Sequence, residues 1–434
     1  MDRPASSLLG NGSYYAATQK DRAGFDRLSS DIDVDVAIIG GGFTGVATAL
    51  ELAQEGLSVA LLEAKAIGWG ATGRNGGQVT GSLSGDSAME REFARTLGQG
   101  AAEYVWHTRW RGHEIIQARV KRYQIECDLK FGHLQAALKS SDLKELQKIF
   151  EVGSARGMEQ DLSLLSAQDI PLYLGTEIYS GGLLNRKNMH LHALDLCTGE
   201  ARAAQSLGAQ IFEAAEVLRI DHGARPKLIT AEGGVSADKV LIAGNAYHLL
   251  EQKALKGKLF PASLANMATE PLPLELTQRL NPQNLAVYDS RFVLDYYRLT
   301  SDNRLMFGGG TNYSGRDSAD VVAELRPAME HTFPQLRGVK IDYAWTGMDG
   351  ITLNRIPQVA KVAPNVLAVQ GYSGHGIGLS HVLAEIVSKA LMGDETEFLT
   401  YEAAKHWHLP LSRGMGSQAV ALGMLAYRLR DRLR

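Results

Sequence analysis

The chain has 434 residues, long for one hydrophobic core, and about 150 residues per domain predicts two or three units. Forty-five basic against 48 acidic residues leave a net charge of −3, and 45% hydrophobic with 21% charged residues excludes a disordered chain, while the charge calls for no nucleic-acid partner. Two cysteines, Cys127 and Cys197, exclude a disulfide framework, a Cys-rich zinc site and a Cys-x-x-Cys redox pair.

The first thirty residues scatter Asp2, Arg3, Lys20, Asp21, Arg22 and Asp26 among small polar residues and hold no apolar core of signal-peptide length, so a cytoplasmic location is expected. The most hydrophobic window, Val36 to Ala53, is broken by four glycines and carries Glu51, so no transmembrane segment is predicted. Val34 to Ile39 instead reads as a buried strand that stops at Gly40-Gly41-Gly42-Phe43-Thr44-Gly45. Apolar residues recur at helical spacing from Thr44 to Gln54, Leu57 to Leu62 is a second strand, and Glu63 follows eighteen positions beyond Gly45. Strand, glycine turn, helix, strand and acid form a dinucleotide-binding fingerprint in its required context. Gly40 permits the tight turn, Gly42 lets a pyrophosphate lie on bare backbone, and Gly45 lets helix and strand close up. The helix N-terminus adds free amides and a positive dipole end.

A second stretch, Gly68 to Gln78, holds five glycines interleaved with Trp69, Arg74 and Asn75, a composition that suits a loop running along a cofactor better than a linker. Asp86 to Arg122 has the rhythm of two helices, and a further helix opens at Asp142; these read as a cap domain inserted into the nucleotide fold. A helix over Leu191 to Leu207 leads to strands at Ala209 to Phe212 and Val217 to Ile220. Lys227 to Ala231 and Lys239 to Ala243 frame Gly233-Gly234 as a hairpin-like region, and Val240 to Ala243 ends at Gly244-Asn245-Ala246. Phe292 to Leu299 and Arg304 to Phe307 flank a tight turn, with Leu294, Tyr296 and Arg298 on one face of the first strand and Asp295 and Tyr297 on the other. Val366 to Val369 runs into Gly371-Tyr372-Ser373-Gly374-His375-Gly376, followed by a helix over Leu379 to Leu391. Met415 to Arg434 reads as an amphipathic helix ending in Arg428, Arg430, Arg432 and Arg434, a solvated C-terminal turn in preference to a weak peripheral membrane contact.

Three strands thus end in glycine turns far apart in sequence, and they converge if the strands share a parallel sheet. A nicotinamide needs only the first turn, whereas the ribityl chain and ring of FAD need the others. On these residues, and on Ser13-Tyr14-Tyr15-Ala16-Ala17, Lys121 to Ile125, Ala243 to Tyr247, Leu294 to Thr300, Thr332 to Leu336 and Trp345-Thr346-Gly347, the chain resembles the glycine oxidase and D-amino-acid oxidase superfamily of FAD enzymes, within it the γ-glutamylputrescine oxidase branch.

The resemblance implies an α/β fold: a discontinuous Rossmann-like FAD-binding domain (33–85, 180–250 and 345–434) with an inserted α+β substrate domain on a mixed sheet (86–179 and 251–344). It implies pyrophosphate at Gly40, Gly42 and Gly45 with Phe43 and Thr44, ribose at Glu63, and adenine contact near Ala64, Lys65 and Val217. Around the flavin it implies Gly70, Ala71, Thr72, Arg74, Asn75, Gly76, Gly77 and Gln78, then Gly244, then Gly374, His375, Gly376 and Ile377. The implied reaction is hydride transfer from an amine-bearing carbon to flavin N5, giving an imine that hydrolyses to aldehyde and ammonia, with dioxygen or a redox carrier as acceptor. Arg74, Tyr296, Trp345 and His375 are the candidate catalytic residues. For Arg74 a substrate-carboxylate contact and a bracing role stand side by side; for His375 the turn's backbone is favoured over the ring; for Trp345 an aromatic cage competes with a core position.

Departures from the family pattern bear on substrate and on flavin attachment, among them Met189-His190-Leu191-His192-Ala193 where relatives commonly show Gly-His-x-His-Pro. The lysine that sarcosine oxidisers carry two places after the Gly-His-Gly turn is Gly378 here, no His or Cys for covalent flavin lies between Gly68 and Gln78, and Met348-Asp349-Gly350 replaces more usual apolar residues. Non-covalent FAD is therefore expected. His190 and His192 have no partner at clear metal-ligand spacing, so no metal is expected. The alternatives are a D-amino-acid or glycine oxidase or dehydrogenase and, from another class, a flavin-dependent tRNA-modifying transferase, which needs a basic face and a working cysteine.

Overall fold

The computed structural model describes residues 12–408 apart from 251 and 292. The helix expected over 415–434, with its membrane contact, lies outside them.

Two sheets organise the chain. In the first, Gln210–Phe212, Val59–Leu62, Ile32–Ile39, Gly234–Ile242 and Val366–Gln370 lie side by side and parallel, with Gln358–Ala363 antiparallel at the edge. A strand buried on both faces needs apolar residues at every position, and this is why Val36 to Ile39 shows no alternation. Val36 and Ile38 face a core built with the helices Phe43–Gln54, Ala193–Ser206 and Gly376–Met392, while Ala37 and Ile39 face Phe212, Ile220 and Leu228 on the other side.

The hairpin region differs from expectation. Arg219–Asp221 and Lys227–Ile229 pair with each other, and Lys227–Ile229 pairs with the start of Gly234–Ile242, which from Val235 onward also pairs in parallel with Ile32–Ile39. One strand therefore serves both as a hairpin arm and as a parallel strand, and Val217 precedes the short strand.

The second sheet runs in the order Ile341–Ile351, Phe260–Thr269, Leu305–Asn312, Tyr296–Leu299, Ala286–Asp289, Lys130–Ala137, Gly181–His190, Gln78–Val79, with Leu162–Ser166 beside Gly181–His190. It is antiparallel except where Ala286–Asp289 meets Lys130–Ala137. The helix Val321–Thr332 covers one face, packing Leu325 and Met329 with Tyr297, Leu299 and Phe307. The strand expected from Phe292 begins only at Tyr296, because Arg291 turns the chain by pairing with Asp289 and Asp295; its partner extends past Phe307 to Asn312.

Three expected domain boundaries move. Gly181–His190 and the start of the 345–434 segment belong to the second sheet, and the helices Asp86–Leu97 and Ala101–Tyr123 join the first sheet's helical core through Met89, Phe93, Val105 and Ile116. Gly112 makes this packing possible: a Cβ there would stand 2.4 Å from the Gly378 carbonyl oxygen. Behind it, buried Arg119 bridges Glu51 and Glu200 at 2.5 and 2.8 Å, and His381 meets Glu200 at 3.1 Å.

Candidate active site

The first turn is built on bare backbone. Gly40 has φ +108°, and a Cβ there would press within 2.9 Å of the Ala243 carbonyl, so two strand ends touch only because residue 40 is glycine. Gly45 lies behind the turn, where a Cβ would stand 1.9 Å from the Gly40 oxygen. The helix Phe43–Gln54 starts at Gly42 without a cap from its own side chain; Thr72, from the second loop, accepts from the Phe43 amide at 3.1 Å. At the end of the next strand, Glu63 accepts from the Gly41 and Lys65 amides at 2.7 and 2.8 Å. Burial pushes its carboxyl up, against the pull of those two amides.

The second loop is braced by its own side chains. Asn75 donates to the carbonyls of Ala71 and Thr72 at 3.1 and 2.9 Å and accepts from the Gly77 amide at 2.8 Å. Arg74 donates to the Trp69 and Thr346 carbonyls at 2.8 and 3.3 Å and stacks 4.3 Å over the Trp69 ring, while its Nη2 has no hydrogen-bond partner among the described residues. Arg298, which shares the Tyr296 face in sequence, is fully buried beneath this loop. It donates to the Gly76, Leu191 and Leu299 carbonyls and to the Tyr15 hydroxyl, which leaves no fork free for a substrate carboxylate. Tyr15 explains the motif near residue 14: Ser13 caps the helix Tyr14–Thr18 and so sets Tyr15 under the guanidinium.

The third turn is tied to the first, since Thr44 Oγ1 and the Tyr372 hydroxyl are hydrogen-bonded across 328 positions of sequence. Its other flank is held by the second sheet, where the Ser373 amide donates to the Gly350 carbonyl at 3.0 Å. The three turns enclose one cavity of about 700 Å³.

Gly40, Gly42, Phe43, Thr44, Glu63 and Ala64 line this cavity, as do Val217 and Gly244, and residues 70–72 and 74–78 of the second loop. Gly374, His375, Gly376, Ile377 and Tyr296 complete the expected set that lines it. Tyr296 packs on Gly76 and donates to Asn266 at 2.9 Å, whereas Tyr297 stacks on Phe307. His375 meets Thr80 at 3.1 Å, and burial lowers it to about 4, with Arg355 and Arg109 acting the same way, so its ring is neutral near pH 7.

Three expected contacts are corrected. Lys65 is exposed and serves through its amide; Gly45 serves packing; and Trp345, 3% exposed, lies behind the loop and donates to the Arg74 carbonyl at 3.0 Å in place of walling a cage. Sequence reasoning missed Asn266, Tyr247, Tyr313, Asp349 and Arg355, all of which line the cavity. Asp349 left a signal as the polar residue in the unusual Met348-Asp349-Gly350 run, and Tyr247 closes the Ala243 to Tyr247 run, where it was given no role. Asn266, Tyr313 and Arg355 sit on strands and loops with no motif of their own.

The residues present fit FAD. A bare glycine turn at a helix N-terminus suits the pyrophosphate, a carboxylate at the next strand end suits ribose hydroxyls, and two further glycine turns bring backbone to a flat ring. Among the described residues no group of three His, Cys, Asp or Glu side chains is placed to hold a metal, and no helix is long and apolar enough to cross a membrane.

Comparison with known proteins agrees with this geometry. Residues 35–390 match the family model described as FAD dependent oxidoreductase. The gamma-glutamylputrescine oxidoreductase of Escherichia coli is 40% identical over 423 residues, covering 97% of this chain and 98% of that protein. The probable oxidoreductase OrdL of Haemophilus influenzae is 33% identical, covering 97% of each. Among solved structures, glycine oxidase from Geobacillus kaustophilus superposes with a TM-score of 0.67 at 22% identity, covering 83% of this chain and 95% of that one. L-proline dehydrogenase from P. horikoshii gives 0.69 at 19%, covering 84% and 94%. These structures share the fold, with its mixed sheets. With the glycine turns, the cavity and a family match over most of its length, this chain belongs to the family of FAD-dependent oxidoreductases.

Proposed function

We propose that this enzyme oxidises a primary amine on a long chain ending in a polar or carboxylate group, a γ-glutamylputrescine-like substrate, to an aldehyde and ammonia. The observation that carries the reading is that neither position 378 nor Arg298 offers a carboxylate clamp at the glycine turns. Gly378 lines the cavity without a side chain to reach into it, and Arg298 spends its donors on backbone and Tyr15. The wall instead offers Tyr247, Tyr288, Leu294, Tyr296, Tyr313 and Met348, which suit a methylene stem. Arg355 lines the same cavity, stands 5.8 Å over the Tyr313 ring and forms no ion pair among the described residues, so it offers a cation to the substrate's terminal carboxylate. The E. coli relative bears the name of this activity.

FAD would be held by the glycine turns, with Gly42, Asn75 and Gly374 among the lining residues, and would supply the acceptor for a hydride from the amine-bearing carbon, with dioxygen or a redox carrier as the final acceptor. The chain's own part is to orient the amine between the second loop and the third turn and to keep the neighbouring ring of His375 neutral. The apolar stem raises kcat/KM through binding remote from the reacting carbon. A cytoplasmic setting suits the two free, buried thiols.

A glycine or D-amino-acid oxidase reading draws on the unpartnered Arg74 Nη2 at the cavity wall. The transferase alternative lacks its working thiol: burial pushes Cys127 up to about 12 and Cys197 well above the usual range. The deciding measurement is kcat/KM for glycine, D-alanine, putrescine and γ-glutamylputrescine, read by peroxide and by dye reduction. The glutamylated amine is expected to lead; glycine or D-alanine exceeding both putrescine compounds refutes the assignment, and putrescine equalling its glutamylated form removes the remote carboxylate site.

A further inference from the structure

We infer that Asp349 receives the reacting ammonium group of the substrate and takes up its proton, so that this chain selects cationic amines over α-amino acids. The inference rests on the amine-oxidising reading above and names the residue that performs the selection.

Asp349 lies near the end of the strand Ile341–Ile351 and lines the cavity. The next residue, Gly350, accepts from the Ser373 amide at 3.0 Å, which joins this strand end to the third glycine turn. A Cβ built at Gly374 would stand 4.0 Å from Asp349 Oδ2, so the carboxylate borders the bare backbone of that turn. No lysine, arginine or histidine pairs with it among the described residues. The groups that face it are Arg355 from the following loop, the phenols of Tyr247 and Tyr296, and the amides of Gly350 and Gly374. His375, on the same turn, is neutral near pH 7.

An unpaired carboxylate in a wall of tyrosines, leucine and methionine loses hydration without gaining an ion-pair partner. Burial pushes Asp349 up to about 7, although Arg355 and the two amides act in the opposite direction. A cationic ligand restores the missing partner; an α-carboxylate in the same place would be repelled. The match of acid to ammonium also accounts for the proton. One N–H bond of the ammonium breaks, an O–H bond forms on Asp349, and the amine nitrogen keeps the electron pair that lets its neighbouring carbon release hydride. Asp349 then returns the proton to solvent through the cavity.

The two backbone amides give Asp349 a structural duty as well, and the test must separate the two. Asp349→Asn keeps acceptor oxygen and size while removing charge. In the FAD-loaded enzyme, tert-butylamine lacks an α-hydrogen and binds without being oxidised, so its Kd is read from the perturbation of the flavin spectrum. The expected result for D349N is unchanged FAD content and melting temperature, at least 10-fold weaker tert-butylamine binding, unchanged tert-butanol binding, and kcat/KM for the primary amine down at least 100-fold. Asp349→Glu restores part of the amine binding. Unchanged amine binding in D349N, with primary-amine turnover intact in both proteins, overturns the role of Asp349 and leaves the amine-oxidising reading standing. Wild type that turns over glycine or D-alanine and no primary amine overturns both. If D349N loses FAD, the wild-type enzyme decides. Binding of tetramethylammonium, whose charge is fixed, must weaken as pH falls through about 7, and pH-independent binding overturns the proposal.

Discussion

Replacing Gly45 by alanine tests whether the first glycine turn is held by packing in the way the geometry requires. The added Cβ would stand 1.9 Å from the Gly40 oxygen and 3.2 Å from Ile38 Cγ2, so about 1.5 Å of separation is needed to reach ordinary contact at 3.4 Å. The obstacle is backbone, and the helix that must move is wedged against Ala193–Ser206 and Gly376–Met392. Overpacking of this kind costs about 1–3 kcal/mol, and the upper half of that range applies where no side chain can rotate away. Because the same shift carries Gly42 and Phe43 away from the cavity, FAD affinity should fall by about 10- to 100-fold, at about 1.4 kcal/mol per factor of ten. Stability is read from the urea midpoint of the FAD-free protein and affinity from quenching of FAD fluorescence. Gly42→Ala meets only Thr72 Oγ1, at 3.2 Å, and should lower affinity with little change in midpoint. Gly100→Ala meets nothing within 4 Å and should leave both unchanged, within about 0.5 kcal/mol. A Gly45→Ala protein with wild-type midpoint and affinity would refute the reasoning.

Glu63→Gln should weaken FAD by about 1–3 kcal/mol and also loosen the turn, since an amide NH₂ then faces the Gly41 or Lys65 amide; equal affinity for both proteins moves the ribose contact elsewhere. Tyr372→Phe removes the Thr44 hydrogen bond between two turns and should cost about 0.5–1.5 kcal/mol in FAD binding, measured by the same titration. Glu200→Ala leaves Arg119 buried without one of its two carboxylates and should lower unfolding free energy by about 3–5 kcal/mol, seen as a fall in urea midpoint. Burial raises the Glu200 carboxyl, but His381 and Arg119 outweigh it and hold the group at about 2. Its depressed value makes its stabilisation complete above about pH 4.5 and progressively lost as pH falls towards 2, so wild type should lose stability over that window and Glu200→Ala should lose less. Acid precipitation should leave the yellow colour in the supernatant, because the second loop holds no cysteine or histidine; colour in the pellet would reveal a covalent flavin.

The FAD fingerprint was legible because its determinants are local. Val34 to Glu63 places two strands, a turn and a helix within thirty residues, and Gly40 and Gly45 there answer steric demands from backbone atoms nearby in the fold. The pairing of Tyr296 with the cavity and Tyr297 with the core was half legible: alternation puts them on opposite faces, but only the helix Val321–Thr332 covering one side decides which face is dry. The hairpin at Gly233-Gly234 was seen, yet its second arm proved to be a parallel strand, since pairing partners outside the hairpin are not written in local composition.

By itself, then, the sequence determined the nucleotide-binding unit, the three glycine turns and the absence of a lysine at position 378. Residues whose roles depend on groups more than a hundred positions away were left to tertiary structure. Arg298 shared a strand face with Tyr296, but only the convergence of Tyr15, Gly76 and Leu191 on its guanidinium gave it a bracing role, and the choice between cage and core for Trp345 fell to its indole on the Arg74 carbonyl. Asp349 became a site residue only when the end of the second sheet was placed against Gly374. The physical reason is the same in each case: a donor's availability and a carboxylate's charge depend on what desolvates and partners them, and those partners are brought together by the packing of two sheets.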